Sequence, residues 1–221
     1  MKKIMILMIV VVLTVFISVA MADNGGEKAG RLFLFQKCDA SLVGKSGFDS
    51  SGCPNVGTGP WPIFPDNDRA GVLHYSLWGK EFDFLFKGRN LLPGKSYTLI
   101  YYPDPWPGKN LICLGSGQTT PAATATKSGG NGHRKNQPPG NVEIHGSMDI
   151  GTSLPASYDA NFNPVSPSGA VGAKIWLVLS DDVQCKTSPF QMINWNPAAY
   201  LFEYNLITYE HQDIEEDVED D

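Results

Sequence analysis

The 221-residue chain has no Cys-x-x-Cys pair, no His-x-His or His-Glu-x-x-His spacing, no Gly-x-Ser-x-Gly motif, no Asn-x-Ser/Thr sequon and no block of Lys and Arg. Each absence excludes something. Without closely spaced Cys or His ligands, a zinc site has no framework. Without a strained serine elbow, the commonest hydrolase signature is missing, and Ser, His and Asp are too numerous to select a triad. The balance of 17 Lys+Arg against 23 Asp+Glu removes the basic footprint of a nucleic-acid binder. Gly44-Lys45-Ser46 and Gly94-Lys95-Ser96 end like phosphate-binding loops, but the required earlier glycine is Asp39 in one and Arg89 in the other. Both read as turns. Gly and Pro follow no triplet period, which rules out a collagen-like chain.

What is present begins with a leader. Lys2 and Lys3 precede an apolar run from Ile4 to Val19, and Ala20-Met21-Ala22 supplies small residues at cleavage spacing. This is the pattern of a secretory signal peptide, cut after Ala22. An uncleaved anchor is the alternative, but the run is short for a span of about 20 residues. No second apolar stretch of that length follows, so no stable membrane span is expected after cleavage. The expected location is secreted, periplasmic or cell-surface.

Charge is segregated. Glu210–Asp221 holds eight acidic residues and no Lys or Arg, while residues 23–209 carry equal numbers of each sign. A like-charged block of this kind repels itself and stays solvated. The organisation expected is a leader at 1–22, one domain at 23–209 and an acidic disordered tail at 210–221.

Cys38, Cys53, Cys113 and Cys185 are an even set in an exported chain and read as two disulfides, with three connectivities open. The favoured pairing is Cys38–Cys53, which closes a Gly/Ser-rich loop, and Cys113–Cys185, which joins the ends of two predicted strands.

Period-2 alternation dominates the body. Phe82, Phe84 and Phe86 oppose Glu81 and Asp83; Val142 and Ile144 oppose Glu143, His145 and Ser147; Phe202, Tyr204 and Leu206 oppose Glu203 and Asn205. Such runs are strands with one wet face. Similar runs occur at 31–36, 72–78, 96–102, 111–114 and 173–179, giving about eight strands and no amphipathic helix. Gly79-Lys80 marks a two-residue hairpin. Leu92-Pro93-Gly94-Lys95 and Trp106-Pro107-Gly108-Lys109 mark type II turns. The fold expected is all-β, an antiparallel β-sandwich with long irregular loops at 116–140 and 153–172, and a closed barrel as the alternative.

The stretch SYTLIYYPDPWPGKNLICLGSG, with NVEIHGSMDIG, GAKIWLVLSDDVQC and INWNPAAYLFEYNLITY, resembles an uncharacterised secreted domain of archaeal and bacterial surface or exported proteins. The resemblance spans roughly residues 70–209 and is most specific at Tyr101–Gly108. It implies an immunoglobulin-like sandwich and an exported location, and it brings no activity with it.

Candidate chemistry is sparse. Asp66-Asn67-Asp68-Arg69-Ala70-Gly71 starts like an EF-hand loop, but position five is Ala70 and position twelve is Leu77, so the bidentate carboxylate is missing. Asp66 and Asp68, with Asp181 and Asp182, are therefore weak metal candidates, and calcium is the only cofactor in view. His74 and His145 fall on polar faces and would share a ligand only if their strands were neighbours. The aromatics carry more weight. Trp61 and Trp106 sit in proline-stiffened loops, and Asp104 lies beside Trp106. A rigid exposed indole suits stacking on sugar rings or anchoring a protein. The plain alternative is that these indoles plug the ends of the core. Trp78 and Trp176 occupy strand positions open to the outside.

These readings lead to a non-catalytic extracellular module that binds a cell-surface glycan or protein through loop aromatics. The alternatives are an exported hydrolase with a carboxylate- or metal-based site, and a calcium-stabilised adhesin or surface-assembly subunit.

Overall fold

A computed structural model describes residues 28–55, 62, 68–78, 81–103, 105–122, 138–149, 159, 165 and 174–207; the expected signal segment at 1–22 and the acidic stretch at 210–221 lie outside them. The described chain is all-β. Strands β1 (Lys28–Phe35), β2 (Ala70–Trp78), β3 (Glu81–Arg89), β4 (Ser96–Tyr102), β5 (Ile112–Gln118), β6 (Val142–Asp149) and β7 (Lys174–Leu179) are followed by short β8 (Val183–Gln184), β9 (Gln191–Met192) and β10 (Phe202–Glu203). A five-stranded antiparallel sheet runs β10-β1-β2-β3-β6, a three-stranded one β5-β4-β7, and β8 pairs with β9. No described helix is long and apolar enough to cross a membrane.

Alternation places the core. Leu32, Leu34, Leu73, Phe82, Phe84, Phe86, Val142 and Ile144 from the larger sheet meet Tyr97, Leu99, Tyr101, Ile175 and Leu177 from the smaller one. This is a β-sandwich, as the strand pattern requires. Trp78 pairs with Glu81, and Gly79 and Lys80, expected to form the hairpin turn, lie outside the described residues. Both lateral openings are stitched. Beyond the ends of β5 and β6, Thr120 N–H donates to the Asn141 carbonyl, the Thr120 carbonyl accepts from Gly140 N–H and its Oγ1 from Asn141 N–H, while Leu177 of β7 and Leu201 form a two-bond bridge. Close approach of β5 to β6 needs glycine: a Cβ on Gly117 would lie 2.8 Å from Val142.

Several expectations are corrected. The run 200–208 is not a half-wet strand. Only Phe202 and Glu203 pair with β1, and Glu203 is buried rather than solvated. Residues 200–203 run along the border of two cores, with Leu201 in the first and Tyr200 and Phe202 in the second, and are covered on both sides, whereas Tyr204 and Asn205 are exposed. The excursion expected from Ser116 starts later, because β5 continues to Gln118 and Thr119 is buried with its hydroxyl donating to the Leu92 carbonyl at 2.7 Å. Gly94 has the positive φ expected of its turn. The turn near Trp106 closes one residue early, with the Gly108 N–H donating to the Pro105 carbonyl at 2.8 Å and the Trp106–Pro107 bond cis.

The second core lies on the outer face of the smaller sheet. Ile100, Tyr102, Trp176 and Val178 point into it and meet Cys38, Cys53, Val183, Met192, Ala199, Tyr200 and Phe202. Irregular segments thus form a third layer. Both disulfides join it, Cys38–Cys53 and Cys113–Cys185, as the favoured pairing has it.

Candidate functional site

The third layer holds Trp106. The turn at 105–108 is fixed to the strand-like run 190–192, where Asn110 N–H donates to the Phe190 carbonyl at 2.9 Å and Met192 N–H to the Pro107 carbonyl at 2.8 Å. On that frame Trp106 is half exposed, and its ring meets Trp195 edge-on at 5.3 Å. Trp195 in turn contacts Trp176 at 6.1 Å and Tyr200 at 5.7 Å. Edge-to-face contacts of this kind restrict ring motion and favour one pose. Phe190 and Ile193 add exposed apolar surface along the same run. Trp61 and Asp104, expected to share the platform, lie outside the described residues.

Trp176 is not outward-facing. Its ring stacks on Tyr102 at 3.9 Å, and its Nε1–H donates to Glu203 Oε2. Glu203 Oε1 pairs with Lys37 Nζ at 3.3 Å, and both side chains are almost completely buried. The alternation was read correctly as leading away from the sandwich interior. The face it leads to is roofed by the third layer.

A second polar hub is Asp182, which is 2 % exposed. Its carboxylate accepts from Asn194 Nδ2 at 3.0 Å, from Asn196 Nδ2 at 2.9 and 3.0 Å, and from the Tyr200 hydroxyl at 2.6 Å. Burial, reinforced by that hydrogen bond to Asp182, pushes the Tyr200 phenol well above the usual tyrosine range. Asp182, a metal candidate in the sequence, therefore spends its oxygens on internal donors. Asp181 and Asp68 are exposed, and Asp66 lies outside the described residues. The EF-hand-like stretch fails for a structural reason, since Ala70–Trp78 is extended strand where a calcium loop would curl. Among the described residues no three His, Cys, Asp or Glu side chains group to hold a metal.

His74 and His145 do not sit on neighbouring strands. His74 pairs with Leu85, and Leu85 with His145, so β3 separates the rings by two strand spacings, about 10 Å. They line one shallow depression on the outer face of the larger sheet, together with Ser76, Asp83 and Ser147. A second depression on that face is lined by Phe33, Phe35, Ala70, Val72, Lys87 and Arg89 among others. Sequence reasoning passed over this surface. Its signal was legible: in Leu32-Phe33-Leu34-Phe35 the leucines go inward, which leaves two phenylalanines on the wet face.

Comparison with known proteins finds no matching family model, no matching curated protein and no matching solved structure.

Proposed function

We propose that the chain is an exported, non-catalytic module that binds a cell-surface glycan or protein through the indole pair Trp106 and Trp195. The observation that carries the reading is a half-exposed tryptophan propped edge-on by a second one above a buried aromatic stack. Exposing an indole forgoes about 1.5–3 kcal/mol of burial, and a rigid one loses little side-chain entropy on binding. Two disulfides support an oxidising compartment, since such bonds persist mainly outside the cytosol. Among the described residues the buried carboxylates are Asp182 and Glu203, and both act as internal hydrogen-bond acceptors.

The test is binding to a glycan array and to isolated cell-surface material, with Trp106→Ala beside the unaltered protein. Loss of a central tryptophan contact is expected to weaken binding by about 2 kcal/mol, roughly 30-fold. The melting temperature should shift little, because the ring is half in water. Binding unchanged in Trp106→Ala and in Trp195→Ala would reject the reading.

A further inference from the structure

We propose a second binding surface, the outer face of the five-stranded sheet, whose ligand is a linear polysaccharide bearing carboxylate groups. Cross-strand register builds it. One row reads Phe35, Ala70, Arg89 across β1, β2 and β3; the next reads Phe33, Val72, Lys87, Glu143 across β1, β2, β3 and β6. Small Ala70 and Val72 thus form a floor between an aromatic wall and a cationic wall. The walls stand two strand spacings apart, about 10 Å.

The aromatic wall is exposed where an inert sheet face would be polar. Phe33 is 44 % exposed and Tyr204 52 %. The Phe33 and Phe35 rings lie nearly parallel at 6.4 Å, and Tyr204 meets Phe35 edge-on at 6.0 Å. Flat apolar rings accept the C–H face of a sugar. Opposite them, Lys87 is partly neutralised by Glu143 at 3.8 Å, whereas Arg89 is exposed and makes no ion pair with any described residue. A guanidinium with two parallel N–H donors matches a carboxylate. The groove volume, about 480 Å³, is that of a small-molecule subsite rather than a protein interface.

Continuity argues for a polymer. The depression at His74, Asp83 and His145 shares β2, β3 and β6 with the groove, its β2 residues His74 and Ser76 lying two and four positions beyond Val72. Rows on one face are about 6.8 Å apart, so four rows give a track of about 20 Å. Its far end offers hydroxyls, a carboxylate and imidazoles, which exchange hydrogen bonds with sugar hydroxyls. An acid-sugar subsite at Arg89 and a hydroxyl-reading subsite at Asp83, about 20 Å apart, then hold well-separated units of one chain.

The experiment titrates the disulfide-bonded protein with hexamers of galacturonate, glucuronate and mannuronate, each also as its methyl ester, by calorimetry. At least one acid form is expected to bind about tenfold more tightly than its ester, with affinity falling as salt rises. Arg89→Gln should abolish that preference. Phe33→Ala should weaken acid and ester alike, and its exposure leaves folding intact. Trp106→Ala should leave uronate binding unchanged, which separates this surface from the indole pair. The proposal is overturned if no uronate hexamer binds saturably, if acid and ester bind equally, or if Arg89→Gln keeps the preference. It is also overturned if a synthetic peptide of residues 210–221, and no saccharide, is what these two variants lose.

Discussion

Two cores lie back to back across the three-stranded sheet, and they are built by different rules. Between the sheets, burial is apolar and periodic: leucines and phenylalanines at every second position, no disulfide, and one buried side-chain atom without a hydrogen-bond partner among the described residues, the Tyr101 hydroxyl. On the other side the layer is irregular, stapled by both disulfides and held by two satisfied polar hubs at Asp182 and Glu203. Loops cannot satisfy their own backbone groups when buried, so side-chain acceptors and cross-links take over that task. The sheet interface is fixed by pattern, the loop layer by particular residues.

The largest expected effect is therefore on the loop side. Glu203→Ala leaves the Lys37 ammonium buried without its partner and the Trp176 N–H unsatisfied. Breaking a buried pair in this way costs about 3–5 kcal/mol. The loss should register first as a collapse of the near-ultraviolet tryptophan signal. Amides of β2 and β3 should keep their hydrogen-exchange protection while those around Tyr200 lose it. Equal loss on both sides would mean one cooperative unit, and the contrast drawn above would fail.

A smaller effect follows from Cys38→Ser with Cys53→Ser. The bond closes a loop with a sequence separation of 15, and the chain-entropy account assigns such a loop about 3 kcal/mol. Asp49 limits the damage locally, since its carboxylate accepts from Ser51 and Cys53 N–H groups at 2.8 and 2.9 Å. Urea denaturation should show a lowered midpoint. Uronate binding at Arg89 should survive, because the outer face of the larger sheet rests on the other core.

The same contrast decides what the sequence disclosed. Phe82, Phe84 and Phe86 against Glu81 and Asp83 announce a strand with one wet face, and that is how β3 sits. Seven of the eight expected strands form where the alternation puts them, although β4 and β7 are covered on both faces. Trp176 and Glu203 were misplaced because their burial depends on a roof contributed by residues distant in the chain. No local period encodes such a roof. The cysteines were readable because an even set of four leaves only three pairings, and the structure takes the one that closes the short Gly/Ser loop. Trp195 was missed as the partner of Trp106, since 89 positions separate them and only the contact of the 105–110 and 190–192 runs joins them. The Phe33 and Arg89 surface was latent in the alternation of β1 and β3, but the register that sets them on opposite walls is a property of pairing.

The smallest effect belongs to the sandwich core and has the opposite sign. Tyr101 is fully buried, and its hydroxyl meets no hydrogen-bond partner among the described residues. An unsatisfied buried hydroxyl costs about 1–3 kcal/mol, so Tyr101→Phe should stabilise the fold by about 1 kcal/mol once lost packing is deducted. Burial also raises the Tyr101 phenol above its ordinary value of 10.0. Above pH 10 the unfolded chain therefore releases a proton that the folded chain retains, and stability falls as pH rises. Tyr200 titrates in the same direction from the other core, through burial and the Asp182 hydrogen bond. Removing Tyr101 should accordingly raise the urea midpoint at pH 7 and flatten, without abolishing, the decline between pH 10 and 11.5. The residual slope then comes from Tyr200 together with Tyr97 and Tyr75, whose phenols burial also raises, and an unchanged slope would show that Tyr101 is solvated or partnered after all.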